Sequence, residues 1–313
     1  MERISGKAPL RVSFAGGGTD LNYIFEKYGG AIVNCTIDKF CHIHLSKRKD
    51  NKILVNGVEL NKSEVLVNKI INFFRPDFGF DLYYYNDVEP GSGLGNSSSF
   101  IILMLRILYE SYNKIVTDNQ LIEESYEIEN SIKLGGWQDE YAITIGGFNF
   151  MEFNKNNKLI YPLRLKYSFL SELNEHLLLV KVPGEKHGDI HKQVKQFQEL
   201  RISEFNKTTK LKELALRMRD CLLNQKIDDV GKIIGESWNL KRNKYVTNKE
   251  IDNLYKFGLI NGAESGRLCG SGQAGHFLFF VKPENRNKLI NSLKDYQIVN
   301  FNFTNHGVET WRI

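Results

Sequence analysis

The chain has 313 residues, 42% hydrophobic and 25% charged, with a formal charge of +5 dispersed along its length. That composition is ordinary for one or two globular domains and excludes a disordered, fibrous or membrane-spanning chain and a concentrated nucleic-acid stripe. Cys35, Cys41, Cys221 and Cys269 lie scattered without CxxC spacing and no secretory signal opens the sequence, so a reduced, cytoplasmic protein is expected.

From residue 4 to about 48 the chain is rich in apolar and β-branched residues and reads as mostly strand, and 52–60 reads as a hairpin arm turning near Asn56-Gly57. Helical spacing follows over 65–74 and an aromatic strand over 80–85. Glu89-Pro90-Gly91-Ser92-Gly93-Leu94-Gly95 then feeds Asn96-Ser97-Ser98-Ser99 and a helix expected over 97–113. A glycine-rich turn entering a helix N-terminus offers unpaired amides and the positive end of the dipole to an anion. No lysine follows Gly95, so this is not a P-loop, and the dinucleotide fingerprint does not fit either.

The next helix is expected to start at Thr117, where Thr117 and Gln120 have capping-box spacing, and to close at Leu134-Gly135-Gly136. Leu121, Ile122, Ser125, Ile128 and Ile132 trace one face of it. A short helix over 139–145 ends at Gly146-Gly147, and 148–153 resumes as strand. Beyond about residue 167 the character changes. A strand at 177–182 precedes charged, periodic helices at 190–200, 204–223, 227–240 and 248–257. Strands at 263–268, 275–281 and 298–303 flank a helix at 284–293, which makes a separate α+β layer.

Two more glycine clusters frame the first. Ala8-Pro9-Leu10-Arg11 leads to Gly16-Gly17-Gly18-Thr19-Asp20, and Leu268-Cys269 leads to Gly270-Ser271-Gly272-Gln273-Ala274-Gly275-His276. Three such motifs, in this order and spacing over nearly the whole chain, resemble those of the GHMP kinases. The Gly-Gly-Gly-Thr-Asp wording is similar to that of the D-glycero-D-manno-heptose 7-phosphate kinases, where galactokinases carry Gly-Glu-His-Thr-Asp.

The resemblance implies an α+β protein of two domains, an N-terminal one like the second domain of ribosomal protein S5 over 1–167 and a ferredoxin-like one over 168–313, with the active site between them. It implies ATP- and Mg²⁺-dependent phosphorylation of the anomeric hydroxyl of D-glycero-D-manno-heptose 7-phosphate to the 1,7-bisphosphate, for nucleotide-activated heptose and cell-surface polysaccharide synthesis. Two other readings stay open: a sugar 1-kinase for a free sugar of the fucose or galactose type, and a catalytically silent sensor of sugar and nucleotide. The partners implied are a sugar phosphate and ATP, with no nucleic acid or membrane and with room for a homodimer.

Phosphoryl transfer needs a phosphate cradle, a metal holder, charge stabilisation and a group that positions the acceptor hydroxyl. The resemblance places Gly91, Gly93, Leu94, Gly95, Asn96, Ser97 and Ser98 at the ATP phosphates, and Ser97 with Glu129 at Mg²⁺, a cation content with few hard oxygen ligands. Asp139 stands at the catalytic aspartate, with Arg11 as its cationic partner. Gly17, Gly18, Thr19 and Asp20 are placed at the sugar, and Gly270, Ser271 and Gly272 close the substrate side. Lys186 and His187 are expected at the substrate's own phosphate, with His191, Arg242, Lys244 and Arg267 as further candidates. His276 reads as a strand histidine rather than a base, and Glu123, Glu124 and Glu127 as solvated.

Overall fold

The computed structural model describes residues 3–184, 204–243 and 246–313. Its first sheet is built on two long strands, β1 (Arg3–Ala15) and β2 (Gly30–Lys47), paired antiparallel along most of their length. A short helix, α1 (Asn22–Tyr28), connects them, so the stretch expected to be mostly strand is interrupted after the glycine triplet. The hairpin arm forms as expected from β3 (Ile53–Val55) and β4 (Val58–Glu59), and is followed by α2 (Val65–Phe74) and β5 (Phe80–Asn86).

The buried helix α3 (Asn96–Ser111) follows the glycine loop, then α4 (Asp118–Asn130) and α5 (Gln138–Ile145). Thr117 caps α4 by accepting from the Gln120 amide at 3.2 Å, but the Gln120 side chain donates to Tyr109 and Glu124 instead of returning to the cap. The helix stops at Asn130, four residues short of the expected Leu134. Strands β6 (Phe148–Phe153) and β7 (Lys158–Pro162) complete a hairpin on the edge of β2.

Helix α6 (Tyr167–Glu175) leads into β8 (Leu177–Lys181). After it come α7 (Glu204–Leu223), α8 (Ile227–Lys241), α9 (Lys249–Ile260), β9 (Ala263–Leu268), β10 (His276–Val281), α10 (Pro283–Ser292) and β11 (Ile298–Val299). The helix expected over 190–200 lies outside the described residues. Asn248 caps α9 through the Ile251 amide at 2.9 Å, and Pro283 opens α10 where no amide is needed. The second sheet runs β11-β8-β10-β9, all antiparallel.

The strand expected over 298–303 is cut to two residues because Phe303 leaves to bridge Ile37 of β2, and β12 (Glu309–Arg312) then pairs with β1. The last residues therefore belong to the first sheet.

Strand alternation explains how the sheets join. Leu177 and Leu179 of β8 and Leu278 and Phe280 of β10 face a core shared with Leu10, Val12 and Phe14 of β1 and Leu214, Met218 and Ile234 of α7 and α8. Leu178, Val180, Phe277 and Phe279 face the opposite way, onto Trp238, Leu254 and Leu289. Phe280→Ala would open the shared core and destabilise the fold by about 3–5 kcal/mol. The other face of the first sheet is covered by α2 and α3. The three glycine motifs meet at one end of the shared core, where Leu94 and Cys269 are both fully buried.

Candidate active site

The phosphate loop is held from three directions. The Arg11 amide donates to the Leu94 carbonyl at 2.9 Å, so β1 grips the loop by its backbone. Asn96 is turned inward: its Nδ2 donates to the Val88 carbonyl at 2.8 Å and its Oδ1 accepts from Ser92. It braces the loop rather than offering a side chain to a ligand. The third motif packs backbone against backbone, since a Cβ on Gly270 would sit 2.6 Å from the Gly93 Cα, and only glycine permits that approach.

His276 fixes the same contact. Its Nδ1 lies 2.9 Å from the Ser92 carbonyl, which can only accept, so Nδ1 carries the proton and burial disfavours a second one. This is the strand histidine expected. Gln273 stands at a left-handed φ of 67°, held by its amide to Val246 and by its carbonyl to Asn248. With Gly95 as N-cap and no side chain over the first turn of α3, the amides of its first residues are left for an outside acceptor.

Arg11, 3% exposed, makes a fork on the Asp139 carboxylate, Nε to Oδ1 at 2.5 Å and Nη2 to Oδ2 at 2.9 Å. Its Nη1 donates to the Gly93 carbonyl at 2.6 Å. Burial alone works against the Arg11 charge, but the Asp139 carboxylate and its hydrogen bonds more than offset this and raise the guanidinium's affinity for its proton. One side chain thus ties the phosphate loop to the helix that carries Asp139.

Glu129 is buried beneath the loop. Its Oε2 accepts from the Ser98 hydroxyl at 2.6 Å and its Oε1 from Lys133 at 2.8 Å. Ser98, rather than the part-exposed Ser97, is the hydroxyl on Glu129. Burial opposes the Glu129 charge, yet Lys133 and the hydrogen bonds around it hold the carboxyl below its usual range. Glu140, fully buried beside it, is pushed well above the carboxylate range by burial and by the Glu129 charge. The pair is thus pushed apart, with the proton favoured on Glu140 and the charge on Glu129.

Neither Glu140 nor Lys133 was singled out from sequence, although Lys133 follows Glu129 by four positions, the spacing of a helical ion pair. The donor set of one buried carboxylate and first-turn serine hydroxyls fits Mg²⁺, which keeps most of its waters. Among the described residues no cluster of three metal-ligating side chains forms a protein cage.

The glycine triplet lies across the cleft. Thr19 is fully buried and its hydroxyl is spent on the backbone, accepting from the Ala31 amide at 3.0 Å and facing the Gly16 and Ala31 carbonyls at 2.9 and 3.0 Å. It latches the triplet onto β2. Asp20 accepts from the Gly18 amide at 3.1 Å and from the Gln138 amide at 3.0 Å, and burial raises its affinity for a proton. A Cβ on Gly136 would fall 1.9 Å from Asp20 Oδ2, so that glycine lets the two loops close.

Lys241 and Arg267 reach the same place from the second half of the chain. Arg242 turns away to Asp252 at 2.9 Å. Lys186, His187, His191 and Lys244 lie outside the described residues.

The fold is that of a family of phosphoryl-transfer enzymes. Residues 65–147 match the family described as GHMP kinases N terminal domain. The chain is 34% identical, over the full length of both, to a D-glycero-alpha-D-manno-heptose 7-phosphate kinase of Campylobacter jejuni. It is 25% identical to the structure of a D-glycero-D-manno-heptose 1-phosphate kinase from Bacteroides thetaiotaomicron, with a TM-score of 0.80 over 99% of each chain. It shares the fold of a Lactococcus lactis galactokinase, TM-score 0.79 at 16% identity over 98% and 95% of the two chains. The chain belongs to the GHMP kinase family, is a sugar kinase of it, and uses ATP. No described helix is long and apolar enough to cross a membrane.

Proposed function

We propose that this chain transfers the γ-phosphoryl group of ATP to the anomeric hydroxyl of D-glycero-D-manno-heptose 7-phosphate. The observation that carries the mechanism is the Arg11 fork, which joins Asp139 to the Gly93 carbonyl of the phosphate loop. The full-length relative carries the substrate.

The loop amides and the first turn of α3 hold the phosphates, and Asp139 accepts the hydrogen of the C1 hydroxyl, orienting its oxygen toward the γ-phosphorus. The new C1–O–P bond forms as the bond to the β,γ-bridging oxygen breaks, giving the 1,7-bisphosphate and ADP. Arg11 keeps its charge beside the transferring group. Ser97, Ser98 and Glu129 are the residues that would hold Mg²⁺, which when bound neutralises charge on the β- and γ-phosphates. Asp20 and the Gly17-Gly18 backbone face the sugar. The two sheets support a division near residue 167, with the closing β12 returned to the first unit.

The test is an ADP-release assay of wild type and Asp139→Asn on heptose 7-phosphate, mannose 6-phosphate, fucose and galactose. Turnover confined to the heptose phosphate and lost in the variant is expected. Preference for a free sugar would move the substrate, and silence of the wild type on all four would overturn the reading.

A further inference from the structure

Arg267 of β9 is 2% exposed, and its Nε and Nη1 are buried without a hydrogen-bond partner. Its Nη2 comes within 3.3 Å of the position a Cβ would take on Gly17, and Lys241 Nζ within 3.9 Å of the same point. Among the described residues Lys241, at the end of α8, makes one hydrogen bond, to the Gly270 carbonyl at 2.7 Å. Two cations from different elements of the second half therefore converge on the glycine triplet of the first.

Among the described residues their surroundings supply no ion-pair partner. Arg11 is another cation, already committed to Asp139 and Gly93. Cys269 faces the pair, but burial keeps its thiol protonated. Asp20 lies near Lys241 with its oxygens on backbone amides. Burial and the neighbouring Arg267 lower Lys241 to about 7, and burial, helped by Arg11, lowers Arg267 to about 10. A buried guanidinium with unmet donors is costly unless an acceptor arrives.

We propose that Arg267 and Lys241 form the subsite for the phosphate monoester of the acceptor sugar, against the Gly17 backbone. This rests on the heptose-phosphate reading above. The ligand chemistry is a phosphate dianion, which a planar fork and an ammonium recognise together. The acceptor is its source because the triplet and Asp20 lie beside the pair, whereas the ATP phosphates have the loop and α3.

The experiment compares wild type, Arg267→Gln, Arg267→Lys and Lys241→Met with heptose 7-phosphate and with ATP as varied substrates. In parallel, the thermal shift produced by inorganic phosphate is read for each. Loss of a charge-assisted contact should raise KM for the phosphosugar about 10- to 100-fold in Arg267→Gln and Lys241→Met, less in Arg267→Lys, and leave KM for ATP within about 2-fold. Phosphate should stabilise the wild type and not the first two variants.

A rise in KM for ATP instead would assign the pair to the nucleotide and overturn the proposal, as would unchanged KM values with an unchanged phosphate shift. If wild type ignores the heptose phosphate, the functional reading fails, yet the phosphate shift still decides the subsite. If wild type turns over the heptose phosphate while the variants keep both its KM and its phosphate shift, the subsite alone fails.

Discussion

Arg11 on β1 and Asp139 on α5, 128 positions apart in the chain, meet through two hydrogen bonds of 2.5 and 2.9 Å while the same guanidinium holds the Gly93 carbonyl. Because one side chain serves both, Arg11→Lys is expected to lose the fork even though it keeps the charge. Asp139→Asn should lower kcat about 10²- to 10⁴-fold, the range for a positioned proton acceptor. Arg11→Lys should lower kcat and raise KM for ATP together. Steady-state kinetics at saturating sugar check both, and unchanged kcat in Asp139→Asn would remove Asp139 from the chemistry.

Glu140 and Glu129 make opposite predictions. Since burial and the Glu129 charge favour the protonated form of Glu140, Glu140→Gln should retain turnover, whereas Glu129→Gln should weaken the response to Mg²⁺. The folded protein holds the Glu140 proton more tightly than the unfolded chain. Its contribution is therefore fully present below the unfolded value near 4.5 and fades as pH rises above it. Glu140→Gln should gain melting temperature relative to wild type between pH 5 and pH 8 (about one unit steps suffice). A constant difference across that range would contradict the assignment.

Lys241 carries the reverse sign. Its folded value of about 7 lies below its ordinary 10.5, so the unfolded chain binds the extra proton and stability rises with pH through that window. The charged form is the one that binds phosphate, so KM for the phosphosugar should climb as pH rises past about 7 in the wild type and stay flat in Lys241→Met. A flat wild-type profile would count against the lysine's role.

Gly270→Ala places a methyl group 2.6 Å from the Gly93 Cα. Separation of the third motif from the phosphate loop should follow, with about 1–3 kcal/mol lost in denaturant unfolding. A higher KM for ATP should accompany it.

Thr19 and Asp20 separate structure from recognition. Thr19→Val removes the acceptor of the Ala31 amide and should lose about 1–3 kcal/mol of stability. Its KM for sugar should change little. Asp20→Asn should raise that KM instead, and the two measurements side by side check the division.

The sequence by itself determined what depends on neighbours along the chain. The Asn56-Gly57 hairpin, the Thr117 and Asn248 caps and the glycine turn entering α3 are local devices, and all are present. The three glycine motifs carried the family because backbone-to-backbone approach, as at Gly93 and Gly270, leaves its requirement in residue type.

Only the tertiary structure decided what depends on distant partners. β7 and β12 are short and carry little periodicity, and β12 becomes a strand only because β1 offers an edge. Glu140 reads like Glu123 in a sequence, and burial against Glu129 raises its affinity for a proton. Thr19 reads as a ligand until Ala31, 12 positions away, takes its hydroxyl. Arg267 and Lys241 become a pair only when the second half folds onto Gly17, since desolvation and Coulomb energy depend on what surrounds a charge in space, and the sequence fixes only what adjoins it in the chain.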